Sequence, residues 1–544
     1  MSMLNRKLRL LGIVFVVGLS IAACGSTVTT GPDSERFVQD FVGGVAADEP
    51  RAVLEGQKVL SAGGNAADAA TAIYFTLAVT LPSKASLGGG GVCMVFDKKT
   101  KKVETIDFLS RVPADITTTA SRPSAVPGNP LGIFALHARY GSFKWARLVA
   151  IGERMARFGV KASRSLVNDL TPNVSGALIE DAQSREVFLG ENGKVIGEGY
   201  SMRQADLATT LSNLRQGGPT DFYQGNLARL FVKSVRRAGG SLSLNDLRAF
   251  KPKWRKSLSK KFGMHEINFM PPPASGGLVA AQMFGMLISA DLFSSASADE
   301  RYHVLAETAL RSYGDRERWL RDDFSIANAP RSLISNLHLN KLISNYQANH
   351  HLPPNAFNPA PKPRSENSSA TSFVVVDRDG SAVACSHTMN NDFGTGRIAK
   401  GTGIMLAAAP IGWGKGPTAL GPVIVRNKNS NNLFFVGAAS GGIAAPTALM
   451  NVLARSMMVN EKLGQAISAT RVHHGGAPDI TFYEPSMAET TKLFLSQRGH
   501  KISPAPILGL VNAVYCSGGF PRDPGSCVIK TDPRGSGLAS NARE

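Results

Sequence analysis

The chain has 544 residues, 43% hydrophobic and 19% charged, a globular composition long enough for two ordinary cores or one large layered one, which excludes a disordered chain. Lys and Arg outnumber Asp and Glu 60 to 41, for a formal charge of +19. The basic residues are dispersed and no basic helix is interleaved with aromatics, so nucleic acid is not an expected partner; the charge suits anionic membrane or wall polymers, or no more than a solvated basic surface.

In chain order, Arg6, Lys7 and Arg9 precede an apolar run from Leu10 to Ala23. A positive start, a short apolar stretch and small residues before a cut describe a secretory signal rather than a spanning helix. The ending Ala22-Ala23-Cys24 resembles a bacterial lipoprotein box, which implies a signal peptide over 1–23, lipidation of Cys24 and anchoring to a membrane. The other reading is a plain signal peptide with Cys24 merely near the cut. The expected location is the bacterial cell envelope, facing the periplasm, with residues 24–34 as a flexible tether.

Pro50 opens a helix that Gly63-Gly64 closes, and the Ala-rich segment from Ala66 to Val79 reads as a second helix able to approach its neighbours closely. Val92–Asp97 and Val103–Phe108 alternate as strands around a Lys-rich turn, a hairpin. Helical periodicity dominates from Gly132 to Tyr346. From His350 to Ala370, five prolines and few apolar residues predict an exposed loop, where nicking is tolerated. Cys516 and Cys527 bracket a Gly/Pro-rich loop between apolar runs, an expected disulfide in an oxidising compartment. Cys93 and Cys385 sit in alternating apolar strands and read as small core residues. No metal site is expected, because adjacent residues of the pairs His350-His351 and His473-His474 point apart on a strand and no third ligand is spaced nearby.

The most informative stretch is Ser368 to Gly380, in which small hydroxyl residues stand directly before the apolar run Phe373 to Val376 and the Asp379-Gly380 turn. A chain that cuts itself there creates a hydroxyl nucleophile and an α-amine base on one residue. With Thr388, Asn390 and Phe393-Gly394 downstream, the segment resembles the gamma-glutamyltranspeptidase family of N-terminal-nucleophile (Ntn) hydrolases. Gly63-Gly64-Asn65-Ala66, Gly88 to Gly91, Val126-Pro127-Gly128, Pro271 to Gly277, Gly441-Gly442 and Asp532-Pro533-Arg534 match further family elements in order. The resemblance implies an α/β fold, a four-layer αββα sandwich of two stacked, mainly antiparallel sheets with helical outer layers. It also implies large and small subunits from one precursor, here 35–370 and 371–544, together forming one Ntn fold.

Two registers of the strand pair are open. Aligned without gaps, the family's catalytic Thr falls on Ala370, which has no hydroxyl. A two-residue type I′ turn at Asp379-Gly380 instead pairs Arg378 with Ser381 and brings Thr371 opposite Thr388, whereas a bulge near the turn restores Ala370 to that place. On chemistry Thr371 is the candidate nucleophile, with cleavage between Ala370 and Thr371 and Ser369 as a second candidate. Thr388 would hydrogen-bond it, Gly441 and Gly442 would form the oxyanion hole, and Asn390 resembles a substrate-positioning residue. The expected reaction is acyl transfer from a small amide, gamma-glutamyl or another N-acyl group, to water or an amine, with no cofactor. The family's carboxylate-gripping Arg is replaced by Leu109, with Arg111 the nearest substitute; its acidic element is replaced by Ala407-Ala408-Ala409, and its Ser-Ser pair by Thr418-Ala419. Glutathione is therefore not the expected substrate. The alternative is an unprocessed, inert envelope lipoprotein that keeps the fold as a binding or scaffold module; a Gly-x-Ser-x-Gly serine hydrolase is excluded, since that elbow does not occur.

Overall fold

A computed structural model describes residues 41–116, 123–173, 176–321, 326–327, 330–362, 369–411 and 419–543. The expected signal peptide, tether, Cys24 and Thr418 lie outside the described residues. No helix among the described residues is long and apolar enough to cross a membrane.

Two antiparallel sheets form the centre. The strands are β1 (Phe41–Ala47), β2 (Gly90–Asp97), β3 (Lys102–Phe108), β4 (Lys253–Lys256), β5 (Leu258–Phe262), β6 (His265–Phe269), β7 (Ala370–Asp377), β8 (Ala382–Thr388), β9 (Val423–Asn427), β10 (Leu433–Ser440), β11 (Leu510–Phe520), β12 (Cys527–Lys530) and β13 (Leu538–Arg543). The first sheet runs β13-β1-β7-β8-β2-β3-β4 and the second β12-β11-β10-β9-β6-β5. Each sheet contains strands from both sides of position 370, so the two segments share the same two sheets.

Period-2 alternation divides the cores. Val92, Met94, Val374, Val376 and Ala384 of the first sheet meet Ile424, Val436, Ala438 and Val514 of the second in one apolar layer. The opposite face of the first sheet, including Phe373 and Val375, packs under helices α1 (Pro50–Ser61), α2 (Ala66–Thr80), α3 (Asn129–Tyr140), α4 (Trp145–Phe158) and α5 (Ala205–Gly217). The outer face of the second sheet packs on α6 (Ser275–Leu287), α7 (Glu300–Trp319) and α8 (Ala445–Met458). This is the expected αββα order.

Local sequence explains the elements near the site. Asn65 caps α2 and Asp68 returns the bond, a capping box, and all fifteen residues of α2 are buried, which its small side chains permit. Gly56 lets α1 approach α2: a Cβ there would lie 2.7 Å from Ile73 Cδ1.

Two expectations are corrected here. Cys93 and Cys385 are not free core thiols but form a disulfide, because the β8–β2 register places them directly opposite each other. The segment after His350 is not simply exposed: His351 and Pro354 are buried, since His351 pairs with carboxylates of other elements. The structure also joins Cys516 to Cys527 across β11 and β12.

Candidate active site

The β7–β8 hairpin decides which residue faces Thr388. The Asp377 carboxylate accepts from the backbone N–H of Asp379 (3.1 Å) and Ser381 (2.9 Å), and also from Ala66 N (3.0 Å). Asp377 N in turn donates to Ser381 O and Gly380 N to Asp377 O, so the loop is Arg378-Asp379-Gly380, with Gly380 at φ +89°. A three-residue loop ending in a left-handed glycine adds one residue to the turn relative to the type I′ form. The expected pairing of Arg378 with Ser381 is therefore not found, and the register runs Ala382↔Val376 to Thr388↔Ala370. The expectation that Thr371 faces Thr388 is corrected: Ala370 does.

A one-residue slip changes the face as well as the partner. Ala370, 6% exposed, belongs to the apolar layer between the sheets, whereas Thr371 pairs with His387 and alternates to the other face. Thr388 Oγ donates to the Ser369 carbonyl, the peptide just before Ala370, and accepts from Asn390 N. Ser369 itself is buried.

Thr371 is drawn into a polar knot that sequence reasoning missed. Thr371 Oγ1 (3.1 Å), Ser372 N (2.9 Å) and Ser440 Oγ (3.0 Å) all donate to Asp48 Oδ2, and Asn512 Nδ2 donates to Asp48 Oδ1 (2.7 Å). Burial pushes the Asp48 carboxyl above its ordinary range, against the pull of these donors and of Lys84. Separations of 323 to 464 residues left no local signal for the knot. It brings the end of β10 beside the start of β7, and there Gly441 (φ +118°) and Gly442 (φ +62°) turn into α8. A Cβ on Gly441 would lie 2.6 Å from Gly509 Cα, so both conformation and space require glycine. Likewise a Cβ on Gly89 would lie 2.6 Å from Thr388 O, the tight packing expected of the Gly88 to Gly91 run.

Asn390, held at φ +61°, joins the remaining walls: its Nδ2 donates to Ser110 Oγ (2.9 Å) and Ala408 O (2.7 Å). Leu109 packs in the same apolar cluster as Ala370, and Ala407, Ala408 and Ala409 are buried. Arg111 lies over the Phe250 ring at 5.1 Å and donates to Lys251 O, which places its guanidinium on the β3–β4 side. Nearby, Lys84 pairs with Asp169 at 2.8 Å. Burial opposes the Lys84 charge, but Asp169, Asp392 and Asp48 outweigh it and raise its pKa, while burial raises that of Asp392.

The two histidine pairs acquire partners that their sequence spacing does not offer. His351 and His474, one from each pair, come together with Asp479, and His351 reaches Glu307 as well, because packing of α7 against the C-terminal segment supplies partners that sequence spacing does not.

The family model described as Gamma-glutamyltranspeptidase matches residues 52–409 and 415–542. The glutathione hydrolase proenzyme of Escherichia coli K12 is 28% identical over 532 residues, covering 90% of each chain. Among solved structures, a Helicobacter pylori gamma-glutamyltranspeptidase is 28% identical at a TM-score of 0.52, covering 58% of this chain and 93% of that one. A cephalosporin acylase from Bacillus halodurans superposes at a TM-score of 0.78, covering 94% and 98%; at 20% identity it shows the shared fold alone.

Proposed function

Because the chain belongs to the gamma-glutamyltranspeptidase family of hydrolases and transferases, we propose that it is an unprocessed, catalytically silent member that keeps the fold as a binding or scaffold module of the bacterial cell envelope. The observation that carries this is Ala370 opposite Thr388. A methyl group can neither attack the Ser369 carbonyl to cut the chain nor take an acyl group from a substrate, so the peptide that Thr388 holds stays whole. The lost recognition groups support the same reading. Leu109 and Ala407 to Ala409 stand where the family resemblance calls for an arginine and an acidic pair, and each lost charge-assisted bond forfeits about 1.5–3 kcal/mol. Envelope placement rests on Arg6 to Cys24, and the membrane is then a partner through the lipid on Cys24.

One observation favours a second reading. Thr371 Oγ1 lies 3.1 Å from Asp48 Oδ2, so a hydroxyl and a proton acceptor already meet at the other candidate position. Cleavage before Thr371 would then make a hydrolase or acyltransferase with Gly441 and Gly442 as oxyanion donors. A denaturing gel of the purified chain after prolonged incubation, with N-terminal sequencing of any fragment, separates the two. The silent member stays one polypeptide, and the hydrolase yields a fragment beginning at Thr371.

A further inference from the structure

Away from the β7–β8 site, α7 carries His303 and Glu307 four residues apart, hence on one face, directed at His500. All three side chains are buried. His303 Nδ1 lies 2.7 Å from His500 Nε2, which lies 4.0 Å from Glu307 Oε1, and the three atoms fall within 4.8 Å of one another. His351 Nδ1 is 2.7 Å from the same Glu307 oxygen.

The outer nitrogens are equally well placed. His303 Nε2 faces Gln347 O at 2.9 Å, which fixes that nitrogen as the N–H and leaves the Nδ1 lone pair pointing inward. His500 Nδ1 faces Thr481 Oγ1 at 2.8 Å and His351 Nε2 faces Asp479 Oδ1 at 2.9 Å. Metal-bound imidazoles are oriented in this manner by a carbonyl, hydroxyl or carboxylate on the far nitrogen. A tetrahedral ion with bonds of 2.0–2.1 Å spaces its ligand atoms roughly 3.3 Å apart. For His303, His500 and Glu307 the observed 2.7 and 4.0 Å bracket that figure, so small ring rotations suffice; His351, with its Nδ1 on the same Glu307 oxygen and its ring centroid 4.3 Å from that of His500, must turn inward to complete the set.

We propose that His303 Nδ1, Glu307 Oε1, His500 Nε2 and His351 Nδ1 form a closed structural site for a divalent transition metal, zinc before others. Three nitrogens and one carboxylate oxygen suit zinc, and four protein ligands leave no open position for catalysis. The ion would displace the proton between His351 and Glu307 to solvent and take the place of the one between His303 and His500, which moves to the far nitrogen of His500. His500 would then carry its proton on Nδ1, donating to Thr481. The site would tie α7 and the segment after it to the C-terminal segment containing His500, and it depends in no way on whether the chain is cleaved.

The test uses the full chain freed of metal by a chelator and then given zinc chloride or cobalt chloride alone. The expected result is one zinc per chain after gel filtration, the intense visible absorption of four-coordinate cobalt, and a melting temperature that rises to a plateau at one equivalent. His303→Gln with His500→Gln, and separately Glu307→Gln, should retain the fold by circular dichroism and lose zinc binding at least tenfold. A folded wild type that retains no zinc overturns the proposal, leaving a hydrogen-bonded histidine network. Undiminished binding in the folded variants overturns it equally.

Discussion

Replacing Ala370 by threonine should restore self-cleavage. The position is 6% exposed in the apolar layer shared with Leu109, Met270 and Leu420, so the added methyl and hydroxyl cost about 1–3 kcal/mol of packing, a fall of a few degrees in melting temperature. Against this stands the chemistry: a nucleophile working with its base contributes on the order of 10⁶ in rate, about 8 kcal/mol of barrier. The surroundings are ready, since Thr388 Oγ already holds the Ser369 carbonyl and β-branched threonine suits a strand start. Wild type and Ala370→Thr, with Ala370→Ser as the less crowded companion, are incubated for days and sampled on denaturing gels, and the smaller fragment is sequenced. The expectation is an intact wild type and a variant fragment beginning at residue 370. A wild type that splits before Thr371, or folded variants that both stay whole, would refute the reasoning.

Asp48→Ala removes the acceptor shared by Thr371, Ser372, Ser440 and Asn512; stranding these donors should cost about 3–5 kcal/mol, read from denaturant melts, and an unchanged midpoint would disprove the knot's role. Non-reducing peptide mapping should recover residues 93 and 385 in one linked peptide, and Cys93→Ala with Cys385→Ala should lower stability by about 2–5 kcal/mol; recovery of both as free thiols contradicts the register. His387 is enclosed by Tyr74, Phe108 and Phe373, and burial holds its pKa down to about 3. The unfolded chain takes up a proton below about pH 6.5 that the folded chain refuses, so stability present above 6.5 is lost as pH falls toward 3, by about 1.4 kcal/mol per unit. His387→Phe should flatten that part of the pH profile, and parallel profiles would count against a neutral buried imidazole.

Adjacent residues wrote much of this protein plainly. Pro50, the Asn65 and Asp68 capping pair, the alternation around Lys98 to Lys102 and the ordered glycine motifs carried the helices, the hairpin and the family, since caps, periodicity and turns act over a few residues. The ungapped motif even set Ala370 at the critical place. What sequence left open was a single residue of register, and it was settled by the Asp377 carboxylate capturing the turn's N–H groups while Ala66 on α2 bonded the same side chain. The Asp48 knot, the Cys93–Cys385 bond and the histidine cluster join residues 44 to 464 positions apart. No local pattern encodes such meetings, because they exist only once two sheets and their helices have packed and the buried polar groups must find partners.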